Sequence, residues 1–406
     1  MIGTACRAWH SVHDTRGGRP DGVRERPVSF HRLIAGVAVQ VISALSIVAL
    51  MPVSSVSASQ NLARMPARGS VTHATGPFAV IATTPATGAT GVLPSAPIVV
   101  RFSEALSPRS PMPILVPSTP GSWSVRNSEY VFTPRADFIP LSDVKLTIPG
   151  GSSGIRSATG GHLARTLTDT LQIANGSILR LQQLLSLTDY SPLRWRQARP
   201  RLPINNVVGQ RAALYRVLNG KFSWRYSSWP VNLQVLWKSG QYNVFTEGMV
   251  MSFQADHGLD PNGVLSSSLW SLLLNAYQAR QINSGGYNYA LENKASPETL
   301  TIWHDGHVVL TSPSNTGISV SPTVDGNFAV YLRYRSQIMR GTNPNGSHYA
   351  DPVQYIAYFN GNDAVHYMPR AGYGSPQSLG CIELPLANAA VAWPYLAYGT
   401  IVSVIN

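Results

Sequence analysis

Two residues near the end of this chain, Cys381 and His366, have the types and spacing of a nucleophile and its base. Cys381, one of two cysteines in 406 residues, lies in the glycine-rich stretch GYGSPQSLGCIELP. His366 ends the apolar run NDAVHYM, and the Gly/Pro-rich loop PRAGYGSPQS between them can fold back. A thiol reacts as its thiolate and needs a neighbouring base. We therefore expect both side chains at neighbouring strand ends; the alternative is an inert buried cysteine beside a strand histidine.

The residues just before the cysteine suit the rest of an acyl-transfer site. Gly380 permits a backbone turn that exposes its own amide and that of Cys381, which is a common way to hold an oxyanion. Ser378 is placed to hydrogen-bond within the same loop.

The segment 298–406 must position these residues, and it is predicted to be mostly β. ETLTIWHDGHVVLTS has two alternating runs around Asp305-Gly306, a strong hairpin signal. PLANAAVAWPYLAY alone has helical character. His304 and His307 flank the hairpin turn, but without further ligands at metal spacing we expect neither a metal nor an organic cofactor.

The segment 177–280 has helical periodicity. ILRLQQLLSL places its leucines on one face, and a second helix is followed by a turn at DPNG and a third, serine-capped helix. DPNG lacks the alternating carboxylates of a calcium loop and is expected to be a plain turn. FQADHGLDPNGV, followed by Leu269 and Trp270, resembles the small three-helix peptidoglycan-binding domain, which implies contact with wall glycan strands.

The segment 76–174 consists of short alternating runs separated by Gly and Pro, which predicts a small β-sandwich. TTPATGATGVLPSAPIVVRFSEAL resembles the opening of bacterial immunoglobulin-like domains. The resemblance implies a spacer. The whole chain is thus expected to be multidomain: an Ig-like β-sandwich, a small α-helical peptidoglycan-binding-like domain and a mostly β catalytic domain.

The N-terminus predicts export. After a basic leader at 1–32, an uncharged stretch of 21 residues begins at Leu33; the segment 33–58 is a signal peptide or a membrane anchor, and 59–75 is a linker. Cys6 precedes this stretch, so a single exported cysteine is expected to form no intramolecular disulfide.

The part beyond the apolar stretch is basic. Residues 59–406 carry 25 Lys and Arg against 16 Asp and Glu, a net charge of about +9. Because no Lys/Arg run is clustered, an anionic wall polymer is a better partner than nucleic acid. The expected location is extracytoplasmic, anchored in the membrane or secreted into a bacterial cell wall, and a monomer is assumed.

Several motifs of the C-terminal segment fall in the order found in one family. HYMPRAGYGSPQSLGCIELP, followed by YLAYGTIVSVI, resembles the catalytic motif of L,D-transpeptidases. The upstream SNTGISVSPTVDGNFAVY is similar to the Ser/Thr-Gly and Pro-Thr-x-x-Gly strand pair of the same family. The resemblance spans residues 298–406.

The resemblance implies a role for each matching residue. Cys381 would be the acylated nucleophile and His366 its base, oriented by the backbone carbonyl of Tyr367. The amides of Gly380 and Cys381, with Leu379, would hold the oxyanion. The loop GTNPNGSHYADP would be a lid over the substrate, and the expected substrate contacts are Tyr349, Ser378, Leu379 and Glu383.

Two positions depart from the family pattern. Leu379 stands where many members have His, which removes a possible second imidazole. Glu383 stands where many have Arg or Asn, which alters the charge expected to meet the donor peptide.

The reaction implied is the formation of 3→3 cross-links between peptidoglycan stem peptides, with release of D-Ala. A hydrolase that uses water as the acceptor on the same residues is one alternative. A non-catalytic wall-binding protein with a decayed site is another. Papain-like endopeptidases place the cysteine before the histidine, opposite to the order here.

Overall fold

The computed structural model describes residues 77–406. The predicted leader, apolar stretch and linker lie outside the described residues. No helix within 77–406 is both long and apolar enough to span a bilayer.

The first described unit is a β-sandwich, as the alternating pattern predicts. Its strands are β1 (Val80–Thr84), β2 (Ile98–Phe102), β3 (Ile114–Val116), β4 (Gly121–Arg126), β5 (Glu129–Pro134), β6 (Asp143–Ile148) and β7 (Leu167–Gln172). They form two sheets in the orders β1-β2-β5-β4 and β3-β6-β7. Alternate residues of β2 and β6 point inward, and these inner faces fill a common core.

The second unit is helical with one added hairpin. Its elements are α1 (Ile178–Leu187), β8 (Leu193–Gln197), α2 (Val207–Ala213), β9 (Gly220–Trp224), α3 (Val231–Gln234), α4 (Val244–Asp256) and α5 (Ser267–Gln278). The three predicted helices are α1, α4 and α5, and side chains of Ser177, Asn243 and Ser266 cap their N-termini. The hairpin of β8 and β9 and the short helices α2 and α3 form the irregular stretch between them.

These helices share a hydrophobic core with the C-terminal unit. The core cluster around the fully buried Trp270 also contains Tyr289 and Ile401. Where the two units meet, the backbone of Gly399 lies against that of Gly248 in α4. The approach is so close that a Cβ on Gly399 would lie 2.0 Å from the Gly248 carbonyl oxygen. Sequence analysis treated 177–280 as a separate module and did not foresee this continuity.

The C-terminal unit contains two sheets and one helix. Its elements are β10 (Asn288–Asn293), β11 (Thr299–His304), β12 (His307–Pro313), β13 (Gly326–Ala329), β14 (Leu332–Thr342), β15 (His348–Asn360), β16 (Asp363–Tyr367), β17 (Ile382–Leu384), α6 (Leu386–Ala392) and β18 (Ile401–Ile405). The sheet orders are β12-β11-β10-β18-β13 and β14-β15-β16-β17. Apolar residues of both sheets form the core between them.

The predicted hairpin and helix of this unit are confirmed. β11 and β12 are antiparallel neighbours joined at Asp305 and Gly306, whose φ angles of 47° and 77° are those of a tight two-residue hairpin turn. The predicted helix is α6. β10 precedes the segment in which sequence analysis placed the unit, and it lies in the middle of the first sheet.

Candidate active site

The strands β16 and β17 bring Cys381 and His366 to one face of a sheet. They pair in parallel, with Val365 opposite Ile382 and His366 opposite Glu383, and Cys381 immediately precedes β17. Val365 and Ile382 point into the core between the sheets. Because side chains alternate along a strand, His366 and Cys381 both project to the opposite face. The fold-back of the Gly/Pro-rich loop thus places the two side chains on neighbouring strand ends.

The imidazole of His366 is held in one tautomer. Its Nδ1 lies 2.8 Å from the carbonyl oxygen of Tyr367, and since a carbonyl only accepts, Nδ1 carries the proton. Nε2 is left as the acceptor. The side chain is buried, with 1% exposure, and burial lowers the pKa of His366 to about 4; the Tyr367 hydrogen bond opposes this shift and the charge of Arg370 adds to it. At neutral pH the ring is therefore a neutral base.

The sulfur of Cys381 lies next to a backbone amide. The amide of Ala364 donates to Sγ at 3.4 Å, a contact that favours negative charge on sulfur. The residue is fully buried. Cys381 is disulfide-bonded in this structure, and the chemistry considered below belongs to the reduced protein.

The loop before the cysteine requires glycine at one position. Gly380 has φ +119°, and a Cβ there would lie 2.2 Å from the Oδ1 atom of Asp363. Ser378 bonds within the loop as expected: its hydroxyl donates to the Cys381 carbonyl at 2.6 Å and accepts from the Gly380 amide at 3.2 Å. The Gly380 amide, expected to face an oxyanion, is thus engaged by Ser378 in this state.

A buried polar brace behind the loop was not foreseen. The hydroxyl of Thr323 donates to the Gly380 carbonyl at 2.8 Å, and the Ser378 amide donates to the Thr316 carbonyl at 2.9 Å. The carboxylate of Glu298 in turn accepts from the amide and the hydroxyl of Thr316, at 2.7 and 2.6 Å. Both threonines lie in the Ser/Thr-Gly and Pro-Thr-x-x-Gly motifs, which was the available signal.

Glu383 does not present an open charge to a substrate. Its carboxylate is buried and receives two hydrogen bonds from Arg370, Nε to Oε2 at 2.7 Å and Nη2 to Oε1 at 2.6 Å. Burial raises the pKa of Glu383, and the contact with Arg370 opposes that rise. The contact of Glu383 with the donor peptide remains a prediction, and in this structure the charge of Glu383 is compensated by Arg370. Arg370 was missed by sequence analysis.

The hairpin of β14 and β15 continues the sheet of β16 and β17, and its apolar side chains cluster with Cys381. The predicted lid loop is the tip of this hairpin. Apolar residues of the hairpin and the catalytic loop form one cluster around the sulfur, called here the cover cluster: Met339, Tyr349, Val353, Ile356, Tyr358, Ala364, Met368, Leu379 and Cys381. The predicted contacts Tyr349 and Leu379 both belong to it, with 8% and 4% exposure. The sulfur is therefore buried next to these apolar side chains.

The two histidines of the other hairpin contact polar and aromatic side chains. Nδ1 of His304 lies 2.8 Å from the Asn288 side-chain oxygen, and the His307 ring packs beside Tyr226. Within residues 77–406 no group of three potential ligands is placed to hold a metal ion.

Two parts of the chain match known families. Residues 288–404 match the sequence model of the L,D-transpeptidase catalytic domain. The chain therefore carries an L,D-transpeptidase catalytic domain. Residues 74–172 match the bacterial Ig-like domain. The helical unit, residues 177–280, lies in neither match, so its predicted peptidoglycan-binding character remains a prediction.

Solved L,D-transpeptidases are among the structural relatives. One from Mycobacterium smegmatis is 14% identical over 82% of this chain and 100% of its own, with a TM-score of 0.28. The catalytic domain of the E. faecium enzyme is 25% identical over 29% of this chain and 96% of its own, with a TM-score of 0.27. L,D-transpeptidase 3 from Mycobacterium tuberculosis is 14% identical over 81% of this chain and 99% of its own, with a TM-score of 0.27. No curated protein matches the chain. The assignment rests on the family match rather than on these structures.

Proposed function

We propose that this chain is a cell-wall enzyme that forms 3→3 peptidoglycan cross-links by acyl transfer through Cys381. The supporting observation is the arrangement of the two parallel strands: His366, fixed by its 2.8 Å bond to the Tyr367 carbonyl, shares a face with the cysteine. A neutral base beside a thiol is what nucleophilic acyl transfer requires.

In the first half-reaction, Nε2 of His366 takes the proton of the Cys381 thiol, and sulfur attacks the amide carbonyl between the third and fourth residues of a tetrapeptide stem. The tetrahedral oxyanion is held by amides of the Leu379–Cys381 loop. Hydrogen-bond donors aimed at the developing charge stabilise it. The Gly380 amide joins them once its hydrogen bond to Ser378 is released. The carbon–nitrogen bond then breaks, D-Ala leaves with the proton from His366, and a thioester remains.

In the second half-reaction, the side-chain amine of a neighbouring stem attacks the thioester. His366 accepts its proton and returns one to sulfur, so the enzyme is restored. The energy of the original amide is kept in the thioester, and no nucleotide is consumed. Burial of the site by the cover cluster excludes water between the two steps and favours the amine over hydrolysis.

The rest of the chain is proposed to place this domain at its substrate. The N-terminal segment directs the protein out of the cytoplasm, either as an anchor or as a signal. The basic exported part and the helical unit bind the anionic wall and its glycan strands, while the Ig-like domain acts as a spacer.

Product mass tests the proposal. The reduced full-length protein and its Cys381→Ala variant are incubated with purified disaccharide-tetrapeptide. A dimer lighter than twice the monomer by one alanine, absent with Cys381→Ala, supports cross-linking. Disaccharide-tripeptide as the sole product identifies a hydrolase instead. Unchanged substrate, together with a thiol that does not react with an alkylating reagent, favours the non-catalytic wall-binding protein.

A further inference from the structure

One carboxylate in the cover over Cys381 lacks a counterpart. Asp351 lies on β15 opposite Met339, and Tyr349 and Val353 are its neighbours two residues away on the same strand. Paired residues of antiparallel strands, and residues two apart on one strand, share a face. All three of these neighbours belong to the cover cluster. Asp351 therefore projects toward the covered face of the site.

One oxygen of the Asp351 carboxylate has no hydrogen-bond partner in the protein. Its Oδ2 atom is buried and has no hydrogen-bond partner, and none of the ion pairs among the described residues includes it. Burial raises the pKa of Asp351, which means that its charge is costly where it stands, and Arg370 only partly offsets this. An unpaired buried acceptor of this kind calls for an explanation, and a hydrogen-bond donor that binds there is one.

The charges nearby leave one negative charge over. Arg370 carries one positive charge, and it is already bound at two points by Glu383. His366 is neutral at pH 7 because burial lowers its pKa to about 4. The carboxylates of Asp351 and Glu383 thus face a single cation, that of Arg370. A second cation would balance the charge of this side of the site.

We infer that Asp351 is a specificity-determining residue that receives a primary ammonium group of the stem peptide, that of the diamino residue. The inference rests on the proposed function and adds to it the charge of the group that the cleft selects. An ammonium is compact and offers three donors, which suits a single carboxylate oxygen. Either of two stems supplies it, the acyl donor or the acceptor; an acceptor ammonium first gives one proton to the Asp351 carboxylate, because only the neutral amine attacks the thioester. The two stems differ only in which half-reaction would depend on Asp351.

Binding without turnover tests the inference separately from catalysis. In the reduced full-length Cys381→Ala background, calorimetry compares a tetrapeptide with a free side-chain amine and the same peptide N-acetylated at that amine. We expect acetylation to weaken binding about tenfold or more, and Asp351→Asn to weaken binding of the free amine equally, because a charge-assisted hydrogen bond is lost. Asp351→Asn should leave binding of the acetylated peptide within twofold. Equal binding of both peptides, no effect of Asp351→Asn, or no binding at all overturns the inference.

Kinetics then distinguish the two stems. With Cys381 restored, a donor role predicts that Asp351→Asn raises KM for D-Ala release about tenfold with kcat changed less than threefold. An acceptor role predicts the same rise in KM for a tripeptide acceptor alone. The matched control is Asp143→Asn, which removes one exposed carboxylate of the Ig-like unit and should change neither. If binding depends on Asp351 and the active enzyme makes no product, the proposed function fails while the ammonium site stands.

Discussion

Two residues beyond the cysteine, the carboxylate of Glu383 meets the guanidinium of Arg370 at 2.6 and 2.7 Å, with both side chains at most 9% exposed. This pair connects β17 to the loop that follows β16. It thereby fixes the two ends of the segment that carries the catalytic loop.

Arg370→Met should destabilise the protein strongly. It leaves a buried carboxylate without compensation, and breaking one side of a buried ion pair costs about 3 to 5 kcal/mol. Urea unfolding measures the loss. Arg101→Met is the matched control, because the pair of Arg101 with Glu129 is 56% and 25% exposed and is expected to contribute less than ~1 kcal/mol. Equal losses in both variants would contradict a structural role for the buried pair.

The pH profile of catalysis should extend to acid. Burial lowers the pKa of His366 to about 4, so the folded protein keeps the neutral base as pH falls well below the ordinary value of 6.5. We expect the acid limb of kcat/KM, which reports the free enzyme, to lie nearer pH 4 than pH 6.5. Rates measured from pH 4 to 8 decide this. An acid limb at or above pH 6.5 that titrates with His366 would show that the imidazole is not buried in the active state.

His366→Ala should reduce kcat by about 10² to 10⁴, the usual contribution of a general base. Single-turnover assays with a tetrapeptide measure the loss. The control is His162→Ala, which removes a histidine of the Ig-like unit and should leave the rate unchanged. A loss below tenfold for His366→Ala sinks its assignment as the base.

Gly380→Ala should disable the site while a neighbouring glycine tolerates the same change. A side chain at Gly380 meets both an unfavourable φ of +119° and the carboxylate of Asp363 at 2.2 Å; the backbone strain alone costs about 1 to 3 kcal/mol. A Cβ on Gly372 would contact nothing within 4 Å. Activity and thermal unfolding are compared for the two variants. Similar behaviour of both would contradict the geometry of the loop.

Glu292 should make the domain less stable as pH rises. It is fully buried on β10, and burial raises its pKa to about 8, opposed by the 2.6 Å hydrogen bond from Ser314. The unfolded chain releases this proton near pH 4.5, whereas the folded chain holds it until about pH 8. The folded state binds more protons in this window, so the free energy of unfolding falls by up to ~1.4 kcal/mol per pH unit.

Denaturant unfolding from pH 4.5 to 8 of the wild type and Glu292→Gln measures this slope. The neutral amide should remove the contribution of Glu292, so that the slopes of the two curves differ most between about pH 5 and 7.5 and become equal above pH 8. Parallel curves across the whole window would mean that Glu292 is ionised in the folded protein.

Local signals predicted those parts of the fold that depend on neighbouring residues. Asp305-Gly306 specifies a tight hairpin through backbone conformation, and the serine cap fixes where α5 begins. The Gly/Pro-rich loop between His366 and Cys381 indicated a return that brings strand ends together. Each of these signals acts over a few residues, so it can be recognised in the sequence without knowledge of the tertiary structure.

The remaining features depend on contacts that sequence spacing does not specify. The brace of Glu298 and Thr316 behind Ser378 joins three distant segments, and the contact of Gly248 with Gly399 fuses two units through bare backbone. Sequence analysis assigned Glu383 to the substrate from its position in the motif. The orientation of its carboxylate toward Arg370 depends on the folded loop, which the sequence does not specify. The Gly380 amide was predicted as an oxyanion donor. Its hydrogen bond to the Ser378 hydroxyl depends on the side-chain rotamer of Ser378, which the sequence does not specify.

The most direct test of acyl transfer through Cys381 is to trap the intermediate. The reduced full-length protein is mixed with a tetrapeptide donor, quenched, digested and mapped by mass spectrometry, with and without a later addition of acceptor. We predict a stem adduct lacking D-Ala on the peptide that contains Cys381, which disappears on addition of acceptor at the rate at which the cross-linked dimer forms. Dimer formation without an adduct on Cys381, or an adduct that is released only to water, would contradict the account.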